Sequence, residues 1–394
     1  MSQTRTVAVF TGNRAEYGLQ FPILRAIAAD PRLEYRLIVG GAHLQEDFGR
    51  TVAEIAKDGF HVAAEVQMTM RQDTLTATAE AIGTGVVSLA AVLAAIEPDF
   101  LLVYGDRYEG LAAMIAGTQM SIPTGHIEGG DYTEGGALDD SVRHAMTKLA
   151  HLHFATNEQA AERIRRLGEE DWRVFVVGQP SLDLIDVGQF ASPQELEADL
   201  GLDPARPIVL FCQHSVATEA DLAVEQVETS IEALKALAAD GFQVVVTYPN
   251  NDAGGRRIID RLEGLRGCTD IQVHPSLGRS RFHGVLNLIG RVGRGAFVGN
   301  SSAGIKETPV FGCPFVNVGP RQRGRLRADN VLDVAYDAAA IEGAVRRATY
   351  DEAFRQQCRT CPNPYGAGDA GARIAEVLAT VPLDRRLIQK RMTY

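Results

Sequence analysis

The chain has 394 residues, room for two domains at roughly 150 residues each, and with 45% hydrophobic and 23% charged residues it has the composition of folded globular protein. Its 39 Lys and Arg against 50 Asp and Glu leave a formal net charge of −11. That sign excludes a sequence-independent grip on nucleic acid and a polybasic membrane anchor, both of which need a basic face. It does not exclude a small anion held in one positive pocket. In chain order, 6–10 (TVAVF), 36–40, 100–105 and 153–156 read as strands, with helical patterns over 19–29, 77–96 and 110–120. A break follows around 189–207, where Pro193, Pro204 and Pro207 bracket one acidic helix. Strands resume at 207–213, 242–249, 296–300 and 314–318, and a last helix near 371–378 precedes the basic tail 385–391, placed to pack back across the hinge.

Continuous apolar strands alternating with helices imply parallel sheets covered on both faces. The expected class is α/β, two Rossmann-like doubly wound parallel-sheet domains with an interdomain cleft. The N-terminal domain is expected over 1–188, joined by the C-terminal helix 371–394, and the second domain over 189–370. Met1 to Arg5 is polar, and the apolar stretch 7–10 is too short for the core of a signal peptide. No run approaches the ~18 apolar residues of a membrane helix, and five cysteines do not suggest a disulfide framework. The cytosol is the expected compartment. Cys358 and Cys361 form a Cys-x-x-Cys without a second pair or a nearby His, and read as two free thiols. Gly366, Gly368 and Gly371 match G-x-G-x-x-G but follow no strand, and too little chain remains for a βαβ unit of ~30 residues. His151 and His153 alternate on a strand and read as structural. No metal site and no cofactor are expected.

The chemistry gathers at strand ends, where such folds bind ligands. Strand 6–10 runs into Thr11-Gly12-Asn13-Arg14, a glycine turn opening a helix, with a guanidinium suited to phosphate. Strand 100–105 ends in Asp106-Arg107, and His126-Ile127-Glu128 leads into a loop containing Asp131. That loop closes on Asp139-Asp140-Ser141-Val142-Arg143, a helix N-cap signature with charges of both signs. Carboxylates crowded at one edge have their pKa values pushed apart, which supplies an acid and a base. In the second half, His214 follows strand 207–213 and Asn250 follows strand 242–249. Strand 296–300 runs into Asn300-Ser301-Ser302-Ala303-Gly304, two hydroxyls and a glycine at a helix start, the form of a phosphate cradle. Glu307 lies one turn further, suited to ribose hydroxyls, and Arg321, Arg323, Arg325 and Arg327 follow in a row of which at least two read as solvated.

The ordered blocks TGNRAEYG (11–18), GDRYEGLAA (105–113), HIEGG (126–130), DDSVRHAMTKLAHLHF (139–154), QHSVATE (213–219), YPNNDAGG (248–255), GNSSAGIKE (299–307), PFVNVGPRQRGR (314–325) and NPYGAGDAG (363–371) carry a resemblance over nearly the whole chain. The chain resembles the hydrolysing UDP-N-acetylglucosamine 2-epimerases of sialic- and legionaminic-acid type pathways. The resemblance implies a GT-B-like architecture, a homodimer or homotetramer, no cofactor, and elimination of UDP to a 2-acetamidoglucal followed by hydration. UDP-N-acetylglucosamine and water would become N-acetylmannosamine and UDP. It implies acid-base roles for Asp106, Glu128, Asp139 and His214. Arg14, Arg107, Ser301, Ser302 and Arg321 would hold the diphosphate and Glu307 the ribose, with Asp140, Arg143, Asn250 and Gly304 also binding substrate. Ser215 stands for the common Pro after the histidine, Asp131 for the usual Glu, and the loop from Tyr132 to Leu138 is longer than the pattern. These departures leave N,N'-diacetylbacillosamine, on UDP or GDP, as an alternative substrate. A GT-B glycosyltransferase is the second enzyme reading. A nucleotide-sugar sensor, which would need no carboxylate cluster, is the non-enzymatic one.

Overall fold

The computed structural model describes residues 4–45, 51–68, 75–132, 137–186, 190–249, 254–366 and 368–394. Its strands are β1 (Arg5–Thr11), β2 (Leu33–Gly40), β3 (Val62–Val66), β4 (Phe100–Tyr104), β5 (Thr124–Ile127), β6 (Leu152–Ala155), β7 (Val174–Val176), β8 (Ile208–Cys212), β9 (Gln243–Thr247), β10 (Ile271–His274), β11 (Gly295–Gly299), β12 (Phe315–Val318) and β13 (Val331–Val334). The helices used below are α1 (Arg14–Ala29), α2 (Leu75–Ile96), α3 (Tyr108–Gln119), α4 (Ala137–Leu149), α5 (Gly278–Asn287), α6 (Ala303–Lys306) and α7 (Ala370–Thr380). Two compact units result, one from the chain up to 132 with 138–184 and 365–394, the other from 185–364. Each carries one sheet with every pairing parallel, in the order β3-β2-β1-β4-β5-β6-β7 and β10-β9-β8-β11-β12-β13.

The central strands β4, β8, β9 and β11 are buried at every position, because helices cover both faces. In β1, Val7 and Val9 join one core with Leu24, Phe154 and Ile374, while Ala8 and Phe10 join another with Leu89, Val103 and Met114. The period of two along the strand makes that division. The edge strands β3, β7, β10 and β13 are short and only half-buried, so they lack the continuous apolar run that marks the interior ones. The last helix, α7, packs in the first unit, where Ile374 and Leu378 join the core of α1. The tail beyond it is fixed there too. The wholly buried Arg173 donates to Leu387 O at 2.7 Å and to His151 O at 3.1 Å, and Lys390 Nζ donates to Lys148 O at 2.7 Å. His153 is wholly buried, its Nε2 3.0 Å from Glu169.

One expectation needs correcting. Helix α2 is interrupted by Thr, Ser and Gly rather than by charge, so over Thr76–Ile96 it is long and apolar enough to cross a membrane by length and composition. It serves as the crossover from β3 to β4 and packs against α3, yet only 22% of its most apolar window is buried.

Candidate active site

In each sheet the strand order reverses at one place, between β1 and β4 in the first and between β8 and β11 in the second. Such switch points open a crevice at the carboxyl ends of the strands. The turns leaving those four strands carry much of the candidate chemistry.

In the first unit, Asn13 caps α1, its Oδ1 accepting from Glu16 N at 3.0 Å while Glu16 Oε2 accepts from Gly12 N at 2.8 Å. Arg14 is the first residue of that helix. Burial pushes the Glu16 carboxyl up to about 8, against the pull of the Gly12 N–H and with Glu109 adding to the rise. Glu109 is itself 1% exposed, and burial raises it as well. It packs beneath the glycine turn, where a Cβ on Gly12 would lie 2.8 Å from Glu109 Cβ. Arg107 Nε stands 3.5 Å from Glu109 Oε2.

The buried guanidinium of Arg143 organises the rest. It donates to Asp106 and Asp140, and to Asp131 O at 3.0 Å. Burial alone would make it less basic, but Asp106, Asp131, Glu128 and Asp140 together hold it above its ordinary value. Glu128 follows β5 with φ at +65°, a left-handed conformation that a non-glycine residue adopts against a cost of about 1–3 kcal/mol and that recurs at functional sites. Its N–H donates to Phe154 O at 3.0 Å. Buried His126 packs behind the cluster. A carbonyl can only accept, so His126 Nε2–H donates to Gly105 O at 2.7 Å, leaving Nδ1 facing Thr147 Oγ1 at 3.1 Å. Burial lowers this imidazole to about 4, which keeps it neutral.

In the second unit Asn300 ties the two switch-point strands together. Its Oδ1 accepts from His214 N at 2.7 Å and its Nδ2 donates to His214 O at 2.9 Å. The Asn300 carbonyl accepts from Gln322 Nε2 at 2.7 Å and from Arg321 Nη1 at 3.2 Å, which brings Arg321 to the Ser301–Ser302 loop. Cys212 Sγ is 3.6 Å from His214 Nε2. A Cβ on Gly304 would lie 2.2 Å from the Phe315 ring, so this glycine answers to packing on that side. Glu307 follows the short helix α6, and its Oε2 is 2.9 Å from Nε2 of the buried His283 on α5.

The fold thus brings Asp106, Glu128, Asp131, Asp140 and Arg143 together in the first unit, and His214, Asn300 and Arg321 together in the second. Helix α4 starts two residues before Asp139, so Asp139 and Asp140 lie in its first turn rather than at its cap, with Asp139 exposed. Asn250 and residues 133–136 lie outside the described residues. Arg327 pairs with Asp333 at 2.5 Å, and Arg325 Nη1 donates to Gln322 at 3.0 Å. Sequence reasoning missed Glu16, Tyr104, Glu109, Gln179 and His283. Only Glu16 had a local signal, as the acidic residue three after the cap Asn13 in a capping-box pattern.

Comparison with known proteins bears on the family and the fold. Residues 25–379 match the family model described as UDP-N-acetylglucosamine 2-epimerase. The chain is 33% identical over 390 residues to a Legionella pneumophila protein named UDP-N,N'-diacetylbacillosamine 2-epimerase (hydrolyzing), covering 99% of this chain and 100% of that one. It is 32% identical to a Neisseria meningitidis UDP-N-acetylglucosamine 2-epimerase over 87% of both chains. Among solved structures, the Neisseria meningitidis UDP-GlcNAc 2-epimerase bound to UDP-GlcNAc superposes with a TM-score of 0.80 at 19% identity, over 95% of this chain and 99% of that one. The fold is GT-B-like, two Rossmann-like units, and the chain belongs to the UDP-N-acetylglucosamine 2-epimerase family.

Proposed function

We propose that the protein is a hydrolysing 2-epimerase of a UDP-linked 2-acetamido sugar, with UDP-N-acetylglucosamine as the first substrate to consider. The observation that carries this reading is the set of carboxylates gathered on Arg143 at the strand ends of the first unit. The hydrogen at C2 is not α to a carbonyl, so its removal must be coupled to departure of UDP from C1. Asp106, Glu128, Asp139 and His214 are proposed for the proton transfers. One removes the C2 proton as the C1–O bond breaks, giving a 2-acetamidoglucal and UDP. Water then adds at C1 while a proton reaches C2 from the opposite face, releasing the 2-epimer. Arg14, Arg107, Ser301, Ser302 and Arg321 are proposed to stabilise the charge growing on the diphosphate. Glu307, with His283 on its carboxylate, is proposed for the ribose, and Asp140, Arg143, Asn250 and Gly304 for shaping the site.

A second substrate, UDP-N,N'-diacetylbacillosamine, is favoured by the Legionella pneumophila relative, which matches end to end where the Neisseria meningitidis relative matches over 87%. A glycosyltransferase is disfavoured because sugar transfer needs no group to exchange a proton at C2. The chain is proposed to act as a homodimer or homotetramer, for which the uncovered apolar face of α2 offers a surface. The test is incubation with UDP-N-acetylglucosamine and with the UDP- and GDP-linked diacetamido sugars, following nucleotide release and the stereochemistry of the free sugar. Release of a 2-epimer from one of them supports the reading. Nucleotide release with the original C2 configuration, or release only with a sugar acceptor present, contradicts it.

A further inference from the structure

Behind Glu128 lies a buried polar pair that the reaction scheme does not use. Tyr104 is the last residue of β4, on a strand otherwise made of Phe, Leu and Val, and it is 3% exposed within the apolar core shared with Leu102 and Val177. Its hydroxyl donates to Glu128 Oε2. Gln179, 2% exposed, donates from Nε2 to the same phenolic oxygen at 3.1 Å. The backbone N–H of Gln179 in turn donates to Tyr365 O at 2.7 Å, at the point where the chain returns to the first unit. Burial foremost, then the charge of Glu128, pushes the phenol well above its ordinary value, so Tyr104 stays protonated and has one proton to give. Because Gln179 Nε2 supplies a proton to the phenolic oxygen, the phenol's own proton goes to the carboxylate.

We propose that Tyr104 and Gln179 are positioning residues for Glu128, forming a relay that aims its carboxylate. The proposal rests on the proton-transfer role assigned to Glu128 above. A hydrogen bond donated to the charged form of an acid favours that form, and a buried hydroxyl on an apolar strand loses more than it gains unless it is paired. The relay has a second setting as well. Gln179 Oε1 is buried with no hydrogen-bond partner among the described residues. A half-turn of the amide would present Oε1 to the phenol. Tyr104 would then donate to Gln179, and its oxygen would accept from a protonated Glu128. A group that alternates between base and acid needs a neighbour that can donate to it in one state and accept from it in the other, and the phenol backed by an amide can do both. Among the described residues, other charged groups bear on the carboxylate through Arg143 or through Tyr104. They are Arg143 and Asp140 from α4, Asp131 from the loop after β5, and Asp106 from the turn after β4.

The test is a carboxyl titration by 13C NMR on glutamate-labelled full-length protein, with the Glu128 signal assigned by its loss in Glu128→Gln. In Tyr104→Phe the midpoint should rise by about one pH unit, a tenfold change in the protonation equilibrium, and in Gln179→Leu it should rise by less. If the wild type turns over substrate, the acid limb of its kcat profile should move by the same interval in Tyr104→Phe, with KM held within about threefold. A residue that merely filled space would lower the melting temperature and leave both midpoints in place. An unchanged Glu128 midpoint in both variants overturns the relay, whatever the activity. A shifted midpoint in a protein that releases no nucleotide upholds the relay and overturns the function proposed above.

Discussion

The two switch points occupy the same place in their sheets and hold different chemistry. After β4 and β5 the first unit crowds Asp106, Glu128 and Asp131 with Asp140 around one buried guanidinium, and seals Glu16 and Glu109 beneath the neighbouring turn. After β8 and β11 the second unit presents an imidazole, an amide and two hydroxyls beside Arg321, with Glu307 the nearby carboxylate and already held by His283. Carboxylates crowded around a buried cation suit moving protons. Neutral donors and a guanidinium suit holding an anion without reacting with it. One topology supplies the location in both units, and the side chains divide the labour.

The division breaks most visibly at Glu128. Glu128→Gln should lower kcat by about 10²–10⁴, the range for losing a general acid or base, with KM changed by less than about threefold; steady-state kinetics of nucleotide release decide it. Arg143→Met comes next, because it leaves the buried Glu128 and Asp131 and the half-buried Asp106 and Asp140 without their cation. Removal of one partner from a buried pair costs about 3–5 kcal/mol, so urea unfolding should show a loss of that order, and activity should fall with it. If Arg143→Met folds with wild-type stability, the carboxylates are not held in place by that guanidinium. On the other side, Ser301→Ala with Ser302→Ala should weaken nucleotide binding by about tenfold or more, from roughly 1.5–3 kcal/mol per hydrogen bond to a charged group, while kcat falls less than in Glu128→Gln. Titration calorimetry with UDP reads this directly. A kcat loss without weaker binding would blur the contrast between the two regions.

The last effect, read from pH alone, concerns Glu16. Its folded value of about 8 stands above the ordinary 4.5. Its contribution to stability is therefore fully present below about 4.5 and lost as pH rises through about 8. Wild type should lose stability relative to Glu16→Gln across that window. Parallel stability curves for the two proteins between pH 5 and 9 would mean that Glu16 is ionised in the fold.

Much of this was legible because interior strands of parallel sheets are unbroken apolar runs, and the polar residues that end them stand out. Asp106, Arg107 and His214 were visible for that reason. Strand β5 showed only as a strand end before Glu128, since Thr124-Gly125-His126-Ile127 is buried yet half polar; a Cβ on Gly125 would lie 2.9 Å from Leu102 Cδ1, and His126 is satisfied by Gly105. Arg143 looked like one charge among several at a helix start, and only the fold makes it the hub of four carboxylates. Tyr104 carried no signal of its own, because nothing near it in sequence announces Glu128 and Gln179 as its partners. Helix α2 misled in the other direction, its scattered Thr, Ser and Gly concealing how apolar the segment is.

The central claim is that the carboxylates of the first unit exchange a proton at C2 of the sugar. The most direct measurement is turnover of UDP-N-acetylglucosamine, and of its diacetamido counterpart, in D2O with the released sugar examined by NMR. The account predicts UDP and a free 2-epimer carrying one deuterium at C2, with both lost in Glu128→Gln. Release of a sugar that keeps its original C2 configuration and its C2 hydrogen would contradict it.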